Sequence, residues 1–193
     1  MKGNDVEVVK LLIENRDKEL SISTIAKMLE KDYKNAHNIV SRLSKTSAVK
    51  LQAFGKSYRV ILANKPRPLI FEAEYLRRNE LLKNKDFAVM RDSFEAMHSK
   101  LFVLLVFGSY AKKTQTKHSD IDLMFIVPDA GEEKMESEIQ SILSTLPLKI
   151  HAQIFKETDF KAMKNSREVT VGSEALKNNV ILHGIESYYE MIE

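Results

Sequence analysis

Two short apolar runs dominate the hydrophobic pattern of the chain, at residues 101–107 and 121–127. Both are rich in Val, Ile, Leu and Phe, and both are too short for a buried helix, so they predict two buried β-strands. Residues 148–155 predict a third strand and residues 180–184 a short edge strand. Residues 166–172 are expected to form an exposed loop.

Apolar residues at helical spacing predict helices before, between and after these strands. The segment 86–99 is the clearest case, because Phe87, Met90, Phe94 and Met97 form one stripe that we expect to pack under the sheet. The remaining helices are predicted at residues 69–82, 132–143, about 158–165, 173–179 (capped by Ser173) and 185–193. The whole pattern indicates an α+β protein.

The first 65 residues follow a different pattern, three helices and then a hairpin. The first and third helices each show one apolar face, made by Val6, Val9, Leu12 and Ile13 and by Ala36, Ile39, Val40 and Leu43. The stretch Ser21-Ile22-Ser23-Thr24 supplies capping hydroxyls before a short helix at 25–29, and Asp32 can cap the third helix. Residues 49–53 and 57–62 alternate as hairpin strands.

Polar side chains on the other face of the third helix are candidates for DNA contact: Lys34, Asn35, Asn38 and Arg42, together with Lys56 at the basic tip of the hairpin. Such residues donate to phosphates and base edges. Three helices and a basic hairpin resemble a winged helix-turn-helix of the bacterial and archaeal regulator type. The alternative is a winged helix used for protein contacts, with this polar face solvated.

The clearest boundary is Asn64-Lys65-Pro66-Arg67-Pro68, since two prolines within three residues disfavour a helix there. We therefore predict a winged helix-turn-helix at 1–65, a helical linker at 66–85 and a second domain at 86–193. The linker helix is apolar on several sides, which would also suit the interface of a homodimer.

Composition narrows the class of protein. The chain of 193 residues is 44% hydrophobic and contains no cysteine, which excludes disulfides and thiolate metal sites. No signal peptide or membrane span is indicated, so a cytoplasmic location is expected. Residues 1–68 contain 14 Lys and Arg against 7 Asp and Glu, whereas residues 69–193 contain 16 against 20. A basic first third favours a nucleic-acid-facing module.

Candidate chemistry lies between the first two strands. Gly108 ends the first strand without a side chain to hold phosphates away, and Ser109 adds a hydroxyl and a backbone N–H. Asp120 and Asp122 point to the same face of the second strand, where their mutual repulsion favours a bound cation. Hard oxygen ligands suit Mg²⁺, which completes its coordination with water and substrate phosphates. A nucleotide site is therefore predicted.

Gly108-Ser109, ten further residues and then Asp120-x-Asp122 resemble the signature of the DNA-polymerase-β-like nucleotidyltransferases, in particular the minimal nucleotidyltransferase branch. The resemblance covers about residues 86–160 and implies a small mixed sheet with helices on one side. It also implies transfer of a nucleoside monophosphate from an NTP, with ATP expected, to a hydroxyl. Gly108 and Ser109 would hold the triphosphate, and Asp120 and Asp122 would be the catalytic metal ligands.

The chain departs from that signature at two places. The family loop commonly continues Ala-Arg-Gly, but here it is Ala111-Lys112-Lys113, and we expect both lysines to contact the triphosphate. The family also has a third carboxylate on a later strand, where this chain offers His151 or Gln153. His151 could accept a proton, ligate a softer metal or be an ordinary strand residue, and Glu157 or Asp159 could reach in instead.

Two functions follow from these patterns. The first is an enzyme that transfers NMP from NTP·Mg²⁺ to a hydroxyl of a protein or nucleic acid, with a DNA-binding first domain. The related toxin–antitoxin enzymes imply a protein acceptor or a toxin partner. The second is a DNA-binding regulator or antitoxin whose nucleotidyltransferase-like domain senses nucleotide with little or no catalysis, as the absent third carboxylate suggests.

Overall fold

The computed structural model describes residues 3–55, 57–165 and 170–193. Contacts divide them into a first unit that extends to Leu76, to which the terminal Glu193 is assigned, and a second unit from Arg77 to Ile192. The division falls within helix α4 (Pro68–Leu81), inside the stretch predicted as a linker. Among the described residues, no helix is both long and apolar enough to cross a membrane.

The first unit contains three helices followed by a two-stranded antiparallel sheet, in the order predicted. Its elements are α1 (Gly3–Glu14), α2 (Ile22–Met28), α3 (Tyr33–Lys45), β1 (Val49–Phe54) and β2 (Ser57–Leu62). Helix α2 begins three residues before its predicted start, because the hydroxyl of Ser21 accepts the backbone N–H of Thr24 at 3.1 Å. Asp32 caps α3 as predicted, accepting from the Asn35 backbone at 2.8 Å.

Burial in the first unit follows the two predicted apolar faces. All eight residues of these faces are buried: Val6, Val9, Leu12, Ile13, Ala36, Ile39, Val40 and Leu43. Val60 of β2 is also buried, and its backbone N–H donates to the carbonyl oxygen of Leu20 at 2.8 Å. The hairpin is thereby fixed to the segment that precedes α2, and it leaves the polar face of α3 outside the core.

The second unit is built on one four-stranded sheet. Its elements are α5 (Lys85–Glu95), β3 (Val103–Phe107), α6 (Gly108–Ala111), β4 (Ile121–Val127), α7 (Glu132–Thr145), β5 (Ile150–Lys156), α8 (Glu157–Asn165), α9 (Val171–Lys177), β6 (Val180–His183) and α10 (Ile185–Ile192). The strand order is β5-β4-β3-β6. Strands β4 and β5 are parallel and β3 is antiparallel to both its neighbours, so the sheet is mixed, with β6 at an edge as predicted.

Helices cover both faces of this sheet. Leu104, Val106, Leu123 and Phe125 belong to one buried cluster with the apolar residues of α5 and α7, including the stripe predicted to pack under the sheet. The alternate strand positions face the opposite way, where α8 contacts β4 and β5, and α9 and α10 contact β3. The expectation of helices on one side, which the family resemblance implied, is therefore wrong for this unit.

Helix α9 starts earlier than the sequence indicated. Thr170, and not Ser173, is its cap, because the two residues form a reciprocal capping box in which Thr170 Oγ1 accepts the Ser173 backbone N–H at 3.1 Å. The predicted loop at 166–172 therefore ends before Val171, and its residues 166–169 lie outside the described residues.

Candidate functional site

Gly108 stands where β3 ends and the short helix α6 begins. Its φ is +67°, a left-handed conformation that favours glycine. The antiparallel register pairs Phe107 with Asp122, which brings the next residue, Gly108, beside the Asp122 carboxylate. A Cβ on Gly108 would lie 2.1 Å from Asp122 Oδ2. Glycine is therefore required twice at this position, once by the backbone conformation and once by the close approach of the carboxylate.

The backbone after Gly108 forms a tight helical turn where the sequence had indicated only a polar loop. The Lys112 N–H donates to the Gly108 carbonyl oxygen at 3.1 Å, and the Thr114 N–H donates to that of Ser109 at 2.9 Å. Ser109 is half-buried at the start of this turn. Gly108 and Ser109 thus share one turn at the end of β3, next to a carboxylate of the neighbouring strand.

Asp120 and Asp122 occupy the start of β4. Asp120 directly precedes the strand and is exposed, and no other described residue is bonded or ion-paired to it. The Asp122 side chain is 28% exposed. Two residues apart along an extended chain, the side chains point to the same face. The pair offers hard oxygen donors, one of them directly beside Gly108.

His151 occupies the neighbouring position on β5. The parallel register pairs Asp122 with His151, and His151 Nδ1 lies 3.4 Å from Asp122 Oδ1. Gln153 is two residues further along the same strand and pairs with Met124. Of the two predicted substitutes for the third carboxylate, His151 is thus the one directly beside the Asp-x-Asp pair.

Glu157 and Asp159 do not fill the missing position. They follow the opposite end of β5, and six residues of strand from His151 to Glu157 span about 20 Å. Over the ranges that the structure describes, no three or more His, Asp and Glu side chains lie close enough together to hold a metal ion. The described site therefore contains two carboxylates and one imidazole, and no third carboxylate.

The two lysines predicted to contact phosphates are paired with glutamates. Lys112 Nζ lies 3.4 Å from Glu174 Oε2, and Lys113 Nζ lies 3.8 Å from Glu80 Oε2. All four side chains are 41–67% exposed, so solvent weakens both pairs. Lys113 also has a positive φ, +57°. Both cations are close in sequence to Gly108 and are held by contacts that an anionic ligand could displace.

The polar face of α3 in the first unit separates into two groups. Lys34 and Asn38 are exposed and Asn35 is half-buried. Arg42 instead donates from Nε to Asp5 Oδ2 at 3.1 Å, and its terminal nitrogen pairs with Asp5 Oδ1. This hydrogen-bonded carboxylate raises the pKa of Arg42. Lys56 lies outside the described residues.

Comparison with known families bears on the second unit. Residues 93–187 match the family model described as Polymerase beta, Nucleotidyltransferase. The match spans β3 to β6 and includes Gly108, Asp120, Asp122 and His151. It supports a nucleotidyltransferase domain of the DNA-polymerase-β-like superfamily in this part of the chain. Searches of curated proteins and of solved structures gave no significant match.

Proposed function

We propose that the second unit binds a nucleoside triphosphate together with Mg²⁺ and transfers its nucleoside monophosphate to a hydroxyl of a protein or nucleic acid. The observation that carries this proposal is the contact between Gly108 and Asp122, which joins a turn suited to phosphate to a carboxylate pair suited to a metal. The family match over residues 93–187 supports the same reaction class.

Each residue of the site has its own role in this proposal. Gly108, having no Cβ, leaves Asp122 Oδ2 open to a ligand, and Ser109 supplies a hydroxyl and an N–H to phosphate oxygens. Asp120 and Asp122 would hold Mg²⁺, whose hard-oxygen preference fits these donors. When bound, the ion would supply positive charge that stabilises the phosphates and the leaving group. Lys112 and Lys113 exchange their glutamates for the triphosphate.

The transfer itself is an in-line displacement at the α-phosphorus. The acceptor hydroxyl oxygen forms a bond to phosphorus, the bond to the bridging oxygen breaks, and pyrophosphate leaves with that electron pair. The hydroxyl proton passes to solvent or to a nearby base. ATP is the donor that we expect among the common NTPs.

The first unit serves, in this proposal, as a winged helix-turn-helix that contacts DNA. Lys34 and Asn38 are exposed on the polar face of α3, and Asn35 is half-buried on the same helix. Lys56 lies outside the described residues and is proposed as a further DNA contact on the sequence alone. Arg42 contributes indirectly, because its bond to Asp5 ties α3 to α1 and fixes the orientation of the contacting face.

A second candidate is favoured by one observation, the imidazole of His151 where the third carboxylate is expected. The protein would then be a DNA-binding regulator or antitoxin that binds nucleotide without transferring it, with a toxin protein as a further partner. Both candidates bind nucleotide at the same site, and only the first transfers NMP to an acceptor.

Transfer of a radiolabel from the α-phosphate of each common NTP into a lysate of the source cell, with Mg²⁺ present, separates the candidates. The enzyme predicts label in a macromolecule with the native protein and none with the Asp120→Asn, Asp122→Asn double variant. Asp159→Asn, an exposed carboxylate remote from the site, is the control and should transfer label normally. Sensitivity of the product to protease or nuclease would identify the acceptor class. Nucleotide binding without any labelled product would favour the regulator.

A further inference from the structure

His151 stands where the family signature has a third carboxylate, and the sheet register places its imidazole beside the carboxylate of Asp122. Asp122 and His151 are paired residues of adjacent parallel strands, and their side chains meet with 3.4 Å between Oδ1 and Nδ1. The imidazole is 62% exposed and the carboxylate 28%, so both are open to a ligand from solvent. The contact joins an oxygen donor to a nitrogen donor beside Gly108.

The distance between these donors suits a shared divalent ion. Two ligands bound to one ion at about 2.1 Å, on bonds at right angles, stand about 3 Å apart. The 3.4 Å separation of Asp122 Oδ1 and His151 Nδ1 is therefore within a small side-chain adjustment of that arrangement. In the part of the chain that the structure describes, Asp120 does not lie close enough to form a group of three donors with them, so its side chain must move before it can act as a third ligand.

The chemistry of these donors differs from a set of three carboxylates in two ways. Exchanging a carboxylate for a neutral imidazole removes one negative charge, which weakens the attraction for a small hard cation such as Mg²⁺. Imidazole nitrogen is a better ligand for first-row transition ions than for Mg²⁺, and affinities for mixed nitrogen and oxygen sites rise from Mn²⁺ to the later members of that series. Both effects favour transition ions over Mg²⁺.

We propose that His151 is a metal ligand of the nucleotide site and that it turns the metal preference of the site from Mg²⁺ towards Mn²⁺ and similar transition ions. This inference rests on the proposed nucleotide site, since it needs Asp120 and Asp122 as the other donors. The competing role is a His151 that only contacts Asp122 and is displaced when a cation binds.

Electron paramagnetic resonance of Mn²⁺ bound to the full chain tests this proposal directly. With α,β-methylene-ATP as a non-transferable nucleotide, spin-echo modulation should show a directly coordinated imidazole nitrogen. His151→Ala should abolish that coupling, and His98→Ala, which removes an exposed histidine at the end of α5, should retain it. A coupling from the adenine ring would survive in both variants and is thereby recognised.

Affinity gives an independent measure. We expect His151→Asp, which restores a carboxylate, to lower the ratio of Mn²⁺ to Mg²⁺ affinity several-fold. If Mn²⁺ binds together with nucleotide but His151→Ala removes no nitrogen coupling from the spectrum, His151 is not a metal ligand. That result would leave the nucleotide site intact. Nucleotide or Mn²⁺ binding that persists unchanged in the Asp120→Asn, Asp122→Asn double variant would instead overturn the proposed site and the inference with it.

Discussion

Gly108 and Asp122 are so close that a methyl group at position 108 would lie 2.1 Å from the Asp122 carboxylate. They reach this distance because β3 and β4 pair Phe107 with Asp122 and the chain turns immediately after Phe107. One small surface therefore combines a backbone turn, a carboxylate and, across the next strand, an imidazole.

The Gly108→Ala variant should lose nucleotide binding and unfold more easily. The positive φ and the collision with Asp122 should together cost about 2 to 4 kcal/mol. Gly131→Ala is the matched control, since Gly131 has φ +81° but no atom within 4 Å of its missing Cβ. It should cost only about 1 kcal/mol and leave nucleotide binding unchanged. Urea unfolding and calorimetry of nucleotide binding check both values, and equal effects in the two variants would contradict the close-contact account.

Lys112 should contribute to nucleotide affinity in competition with Glu174. The Lys112→Ala variant removes a cation near the phosphates and should weaken binding several-fold. Glu174→Gln, which frees Lys112 from its 3.4 Å partner, should bind nucleotide at least as tightly as the native protein. Lys83→Ala, an exposed cation after α4, serves as the control for a general loss of charge. Tighter binding of Lys112→Ala than of the control would refute the assignment of Lys112.

Arg42 and Lys34 should behave differently although both lie on α3. Arg42→Ala breaks the two-point pair with Asp5, so it should lower the free energy of unfolding by about 1 kcal/mol. Lys34→Ala should leave stability unchanged and reduce the salt dependence of binding to a mixed-sequence duplex by about one unit in the log–log slope. Urea unfolding and fluorescence anisotropy give the two readouts. A Lys34→Ala protein with the native salt slope would exclude that side chain from the DNA contact.

Glu138 should contribute a pH-dependent increment of stability. The His98 ring nitrogen and backbone N–H each lie 3.0 Å from Glu138 Oε1, and this bonding, led by the side chain, holds the pKa of Glu138 below its ordinary value. Because the folded pKa is lowered, the contribution is present above the ordinary pKa and is lost as pH falls through the folded pKa. Carboxyl NMR titration should show a higher Glu138 pKa in His98→Ala. An unchanged pKa would mean that the ring does not donate to Glu138.

Several elements of both units followed directly from the sequence. The strands β3 and β4 were evident because their apolar runs are too short for helices. The first run ends at Gly108, and the second begins at Asp120 and Asp122. The cap of α3 was indicated by Asp32, and the cap of α2, Ser21, was among the hydroxyl residues named before that helix. Local side-chain chemistry determines such features, so a local pattern is enough to predict them.

Features that depend on distant residues were not predictable in the same way. The pairing of Arg42 with Asp5 joins positions 37 residues apart, and nothing in the spacing of either residue indicates it. The cap of α9 was misplaced because Thr170 and Ser173 are both hydroxyl residues, and only the folded backbone distinguishes the cap from its partner. The second layer of helices likewise depends on the register that turns alternate strand residues outward.

The residues of the candidate site could be proposed from the sequence, but their contacts could not. Gly108 and the two aspartates were singled out from their types and spacing, but their contact needed the pairing of β3 with β4. His151 was a candidate alongside Gln153, and the choice between them required the parallel register of β4 and β5. That register is a property of the assembled sheet, which a single strand sequence does not encode.

The most direct test of the central claim is equilibrium binding of ATP to the full chain, measured by calorimetry with and without divalent metal. We predict saturable binding that requires metal, is lost in the Asp120→Asn, Asp122→Asn double variant and is retained in Asp159→Asn. Binding of equal strength in all three proteins, or no binding of any common NTP by the native protein, would contradict a nucleotide site at Gly108 and Asp122.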